Sequence, residues 1–359
     1  MLVRAFDFDL PEALIAQAPP EVRGQSRLLR MALASGGLTH GAMADLPSWL
    51  RPDDLVVVND TRVFPARLLG RRDPSGGGVE CLLVTRRDEA GDDGPEERWE
   101  ALVSPGQKLQ PGARMRFELP NGTDGPVLQA EVLARGDFGR RELRLWTTDG
   151  APVRAAVDVL GHIPLPPYIK RPDAGADRER YQTVYATHRG SIAAPTAGLH
   201  FTPDTFAAMA ALGIRTVSVT LHVGYGTFQP IRVDEVEAHR MEREHYEIST
   251  EAAAAINTAL DDGRRVVAVG TTTTRALESA AVDGAGRVRA GRASTALFVY
   301  PGFRFQVVGG LVTNFHLPQS SLLMLVSALG GRERVLAAYR EAVAQRYRFY
   351  SYGDAMCLL

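Results

Sequence analysis

The sequence has almost no lysine and almost no cysteine. Only Lys108 and Lys170 are lysine, and the rest of the 41 basic residues are arginine. Genome base composition produces such a bias, so no single arginine counts as evidence of a phosphate contact. Two cysteines, Cys81 and Cys357, are too few for a disulfide framework or a Cys-rich zinc site. A reducing, cytoplasmic compartment is expected. No apolar run approaches the roughly 18 residues of a membrane span. The opening Met1-Leu2-Val3-Arg4-Ala5-Phe6-Asp7 carries acid where a signal peptide has a basic patch and a long apolar stretch. Neither secretion nor membrane contact is expected. Net charge is also missing: 41 basic against 42 acidic residues gives −1, which leaves only a local basic face as a route to nucleic acid. The eight histidines include no His-x-x-x-His pair, so no metal is expected. There is no Gly-x-Ser-x-Gly elbow, no P-loop ending in Gly-Lys-Ser/Thr and no Gly-x-Gly-x-x-Gly after a strand.

What is present is a change of texture along 359 residues, a length that suggests about two domains. From 64 to 152, short β-like runs (Val79 to Val84, Trp99 to Val103, Ala113 to Phe117, Leu128 to Leu133, Glu142 to Trp146) alternate with turns such as Asn121-Gly122. This spacing predicts a small antiparallel β-barrel. The acidic stretch Asp88 to Glu97 reads as an exposed loop. Outside that region strands and helices alternate: strands at Leu55 to Val58, Thr216 to Val223, Arg265 to Val269 and Gly310 to Thr313, and helices at Thr250 to Asp262, from Thr274, and from a Ser320 or Ser321 cap. The fold class expected is α/β: a layered α/β main domain, residues 1–63 and 153–359, with the barrel, residues 64–152, inserted.

Polar chemistry collects where apolar strands end. Val58 runs into Asn59-Asp60-Thr61-Arg62, Leu221 into His222-Val223-Gly224-Tyr225-Gly226-Thr227, Val269 into Gly270-Thr271-Thr272-Thr273-Thr274-Arg275, and Val312 into Thr313-Asn314-Phe315-His316. Ligands of open α/β sheets bind at the carboxyl ends of strands, so four such exits predict one shared pocket. Strand-end turns use the same residue types, and that alternative stands for any one cluster. The third exit has free amides and hydroxyls at a helix start, a place that favours anions. A fifth segment, Gly190 to Phe201, is rich in small residues, and its Thr196, Gly198 and His200 precede a helix start at Thr202-Pro203-Asp204. The acid/base candidates are His200 and His316, then His222 and Asp60, because histidine titrates near neutrality. The binding candidates are Asn59, Thr61, Arg62, Thr196, Gly198, Gly224, Gly226, Thr227, Gly270, Thr271, Thr272, Arg275 and Asn314. Arg62, Arg67, Arg71 and Arg72 form a candidate basic face.

Ala193-Ala194-Pro195-Thr196-Ala197-Gly198-Leu199-His200-Phe201, Val58-Asn59-Asp60-Thr61-Arg62-Val63, Leu221-His222-Val223-Gly224, Thr313-Asn314-Phe315-His316-Leu317-Pro318 and Ser351-Tyr352-Gly353-Asp354-Ala355-Met356 resemble the S-adenosylmethionine:tRNA ribosyltransferase-isomerase family of queuosine biosynthesis. The resemblance runs from Phe8 to Met356. It implies an α/β domain with an inserted barrel, S-adenosylmethionine as co-substrate and no metal. It also implies, as partner, a tRNA with a GUN anticodon that carries 7-aminomethyl-7-deazaguanine, and a monomeric enzyme. The implied reaction transfers and isomerises the ribosyl moiety onto that base, giving epoxyqueuosine and releasing adenine and methionine. Two departures stand out. Tyr225 lies where members often have alanine, and Glu242 lies where they often have histidine, so Glu242 is given no catalytic role. A different nucleoside-processing enzyme and a non-catalytic RNA-binding protein remain the competing classes; S-adenosylmethionine turnover with precursor-bearing tRNA separates them.

Overall fold

The computed structural model describes residues 1–87, 93–120, 123–228, 231–282 and 286–359. They form two compact units, residues 1–62, 166–171 and 179–359 in one and residues 63–165 and 172–178 in the other.

The larger unit is built on a nine-stranded sheet. Four neighbouring strands, Arg215–Leu221, Leu55–Asn59, Val266–Val269 and Val308–Asn314, run parallel. Parallel strands need cover on both faces, and these sequences supply it by alternation. Leu55, Val57 and Leu311 face a core that includes Ile256, Leu277, Leu323 and Tyr339. Val56, Val58 and Val312 face a second core with Leu46, Phe201 and Met209. Helices Thr250–Asp261, Thr271–Ala280, Ser321–Gly330 and Arg332–Ala344 therefore cover one face, and Leu46–Trp49 with Pro203–Ala211 the other. The layered α/β architecture is as expected. Antiparallel strands flank the parallel group: Glu244–Ile248 and Gly291–Thr295 on one side, Ala355–Leu358 on the other. Beyond the latter lie Arg27–Met31, parallel to it, and Leu38–Ala42.

Helix ends follow their local chemistry. Ser320 caps its helix by accepting from the Leu323 amide at 3.2 Å, and Thr202 caps Pro203–Ala211 by accepting from Thr205 N at 3.1 Å. The helix expected from Thr274 starts three residues sooner, at Thr271. Gly270, at φ 93°, makes the sharp turn out of the strand that a side-chain-bearing residue would resist.

The smaller unit is a closed barrel of six strands: Arg67–Asp73, Gly78–Arg86, Glu96–Ser104, Arg114–Phe117, Leu128–Arg135 and Arg140–Thr147. Closure leaves no exposed edge. Arg67–Asp73 is the strand that the sequence pattern did not reveal, since Arg71-Arg72-Asp73 breaks the apolar alternation. Glu96 and Glu97, expected in a loop, begin a strand, while 88–92 and the turn at 121–122 lie outside the described residues. The expected boundary at 152 also differs. Helix Val153–Leu160 packs its buried Val153, Ala156, Val157 and Leu160 against barrel strands, so this unit continues to 165.

Gly161 ends that helix, donating to the Val157 carbonyl at 2.9 Å. A Cβ there would lie 1.9 Å from the Pro65 carbonyl oxygen and 2.6 Å from that of Val157. Both are backbone atoms and cannot swing aside. Gly161→Ala is expected to cost about 1–3 kcal/mol by overpacking, read as a lowered thermal midpoint. Gly175→Ala, with open space around it, is expected to be near neutral.

Candidate functional site

The carboxyl ends of the parallel strands share one edge of the sheet, and there a cavity of about 540 Å³ opens in the larger unit. Its walls come from the helix start Gly270–Thr272, the exit Thr313–His316 with the following Leu317 to Leu322, and the small-residue loop 193–197, with Tyr168, Tyr350 and Ser351 among the other lining residues. Thr196, Gly270, Thr271, Thr272, Asn314 and His316 are thus brought together as the sequence predicts.

The helix beginning at Thr271 has no side-chain N-cap. Its first amides have no intrahelical acceptor and carry the positive end of the helix dipole. The hydroxyls of Thr273 and Thr274 bond back to the carbonyls of Val269 at 2.6 Å and Gly270 at 3.2 Å. Thr271 and Thr272 are left to face the cavity.

His316 is buried, its Nε2 2.8 Å from Thr313 Oγ1, while its amide donates to Tyr339 OH at 3.1 Å. Burial pushes its pKa down to about 3, so the ring is neutral at physiological pH. Asn314 is held on three sides. Its Oδ1 accepts from Thr196 Oγ1 at 2.9 Å, and its Nδ2 lies 3.0 Å from His200 Nε2 and 3.1 Å from the Tyr350 carbonyl. His200, the first acid/base candidate, does not line the cavity. It sits behind Asn314 with its other nitrogen 2.9 Å from Ser26 Oγ, and burial, with Arg348 and Arg23 adding to it, lowers its pKa to about 4.

The other two exits do not open into this cavity, apart from Val223, which lines it. Asn59 is fully buried and ties strand ends together: Nδ2 donates to the Leu221 carbonyl at 2.9 Å, and Oδ1 accepts from the Leu221 and Thr61 amides. His222 Nδ1 meets Thr61 Oγ1 at 2.8 Å. Burial, then neighbouring His188, lowers the pKa of His222. Asp60 accepts from Thr220 Oγ1 at 2.7 Å and lies 3.8 Å from His188 Nε2. Asp60, Thr61 and His222 form a second polar cluster, so the single pocket expected from four exits is instead two groupings. The Asn59 amide lies between the two, its Nδ2 bonded to the Leu221 carbonyl and 3.5 Å from Thr272 Oγ1. Arg62 is exposed. Gly198 is small because Tyr185 OH would lie 2.1 Å from a Cβ there, and Gly226 because it abuts Glu242. Gly224 donates to Glu244 Oε1 at 3.1 Å. The side chain of Thr227 lies outside the described residues. Arg275, expected to bind ligand, is buried in an ion pair with Glu244 and lines no part of the cavity.

Sequence reasoning missed Tyr168, Tyr350 and Ser351 as cavity residues. Tyr168 OH is 2.5 Å from Ser351 Oγ, and its ring lies 4.2 Å from that of Tyr350, tilted by 32°. Tyr350 adopts φ 74°, a conformation unusual for a bulky residue and more common at functional sites. The signal that could have found it was the residue preceding the polar tail Ser351-Tyr352-Gly353-Asp354. Among the described residues no group of three or more His, Cys, Asp or Glu side chains converges as a metal site, and no helix is long and apolar enough to cross a membrane.

Two outcomes follow. Arg275→Ala removes the buried cation facing Glu244 and is expected to cost about 3–5 kcal/mol of stability; replacing both partners by methionine is expected to restore most of it, as denaturant melts would show. His200 and His316 ionise near 4 and 3 in the folded chain against an ordinary 6.5. The unfolded chain therefore takes up their protons first as pH falls. Stability is present above about pH 6.5 and is lost toward pH 4 and below. A His200→Gln, His316→Gln variant is expected to lose less of its thermal midpoint between pH 7 and 4.5 than the parent, and equal losses would count against this origin.

Comparison with known proteins extends the match beyond the cavity. The family model described as queuosine biosynthesis protein covers residues 3–358. An S-adenosylmethionine:tRNA ribosyltransferase-isomerase of Symbiobacterium thermophilum is 50% identical over 359 residues, 100% of both chains. One from an Anaeromyxobacter species is 51% identical over 358 residues, covering 100% of this chain and 99% of that one. The crystal structure of an S-adenosylmethionine tRNA ribosyltransferase from Thermotoga maritima aligns with 99% of this chain and 100% of its own, at 34% identity and a TM-score of 0.53. With fold, cavity motifs and full-length identity in agreement, the chain belongs to the queuosine biosynthesis protein family of S-adenosylmethionine:tRNA ribosyltransferase-isomerases.

Proposed function

We propose that this chain transfers and isomerises the ribosyl moiety of S-adenosylmethionine onto 7-aminomethyl-7-deazaguanine at the wobble position of a tRNA with a GUN anticodon. The products are epoxyqueuosine-tRNA, adenine and methionine. The reading places the enzyme in the cytoplasm as a monomer. The observation that carries it is the cavity, which combines an uncapped helix N-terminus, a stacked tyrosine pair and a neutral buried imidazole.

These features suit an amphipathic cationic co-substrate of drug-like size. The free amides of Thr271 and Thr272 favour its carboxylate. The stacked aromatic pair Tyr168 and Tyr350 on the cavity wall favours its sulfonium, and Leu317 and Pro318 supply apolar surface for the base. The sulfonium itself acidifies the neighbouring 5′ carbon of the ribosyl group. His316 is assigned the role of proton acceptor there because its imidazole borders the cavity. Asn314 and Thr196 are assigned to hold a ligand hydroxyl or amine. In the barrel unit, Arg67 makes two hydrogen bonds to Glu80 at 2.8 and 2.9 Å and is withdrawn from the phosphate-contact set. Arg71, exposed and with no ion-pair partner among the described residues, keeps that assignment.

The test is adenine release from S-adenosylmethionine with unmodified or precursor-bearing tRNA. Release is expected only with the precursor, and none, or release regardless of the base, would overturn the reading. His316→Ala is expected to lower turnover by roughly 100-fold while tRNA binding persists in a filter assay.

A further inference from the structure

Asn314 Nδ2 and Oδ1 cannot exchange places. The Tyr350 carbonyl oxygen, 3.1 Å away, only accepts hydrogen bonds, so the group facing it must be the amide NH₂. That leaves Oδ1 to accept from Thr196 Oγ1. The second NH₂ hydrogen points at His200 Nε2, 3.0 Å away, which must then be an unprotonated acceptor. The one proton of neutral His200 is therefore on Nδ1, where it donates to Ser26 Oγ at 2.9 Å. One backbone carbonyl, on a residue itself held at φ 74°, fixes an amide orientation, and the amide fixes a histidine tautomer.

We infer that Ser26 and His200 are positioning residues that lock Asn314 with its Oδ1 toward the cavity, making that wall an acceptor selective for a donor group on the ligand, a hydroxyl or an ammonium. Asn314 Nδ2 has no hydrogen left to offer, because both are spent on Tyr350 and His200. Oδ1 retains one lone pair beside Thr196. Burial, and after it Arg348 and Arg23, opposes protonation of His200, so the lock is not lost at neutral pH. The choice of ligand rests on the function proposed above; the lock itself does not.

Two measurements separate those dependences. In the first, ¹⁵N-histidine spectra of the whole protein report the His200 tautomer. Protonated Nδ1 with bare Nε2 is expected, and protonated Nε2 would overturn the lock, whatever the enzyme acts on. Asn314→Asp puts a carboxylate oxygen toward Nε2 and is expected to convert His200 to imidazolium in the same spectra; an unchanged neutral ring would count against the contact. The second is kinetic. His200→Leu removes the acceptor and is expected to raise KM for S-adenosylmethionine about tenfold, the scale of one hydrogen bond, with kcat changed much less. His200→Gln can still accept from Asn314 and is expected to recover most of that loss. Equal KM values in the two variants, both folded by circular dichroism, would overturn the positioning role. Absence of turnover in the parent protein would sink the proposed function and leave the spectroscopic result standing.

Discussion

Four parallel strands ending on one edge leave a row of backbone amides and carbonyls with no further ladder to join. Buried groups of this kind must find partners, and how they find them decides the rest of the larger unit. At one pair of ends the answer is internal: the Asn59 side chain acts as a substitute peptide, donating to the Leu221 carbonyl and accepting from the Leu221 and Thr61 amides. At the other pair the answer is external. Gly270 turns the chain at once into a helix whose first amides have no cap, and Asn314 turns its amide outward to a loop of alanines and a threonine. The edge thus has a sealed half and an open half, and the cavity belongs to the open one.

Desolvation then sets the chemistry of what is enclosed. His316 and His200 are both held as neutral rings, but with different surroundings. His316 contacts the protein through one ring nitrogen and borders the cavity; His200 uses both nitrogens on protein partners and supports a neighbour. The same environment makes Arg275 and Glu244 depend on each other, since neither can meet water. Two histidines of equal promise in the sequence are separated by hydrogen-bonding geometry alone.

Much of this was legible beforehand. The apolar runs at Leu55 to Val58 and Arg265 to Val269, and the punctuated β-runs after residue 78, gave the α/β layer and the barrel because their periodicity is set by burial. The cavity side of the site was legible too, at Thr196, Gly270 to Thr272, Asn314 and His316, because strand exits concentrate there. What was not legible has physical causes. Short edge strands such as Leu38–Ala42 are mostly solvent-facing and carry little apolar signal. The role of Asn59 depends on a neighbouring strand 162 residues away in sequence. Arg275 looked like a ligand group because its buried partner, Glu244, comes from a strand whose alternation is hidden by charge. Tyr350 owes its place to a backbone conformation that residue type does not announce.

The strand Ala355–Leu358 lies inside the sheet, between Val308–Asn314 and Arg27–Met31. Without Ala355–Leu358 the sheet would fall into two parts, and Val308–Asn314 and Arg27–Met31 would each present an unpaired edge. The hairpin of Arg27–Met31 and Leu38–Ala42, and with it the neighbouring Ser26 that meets His200, is thus tied into the sheet through this one strand.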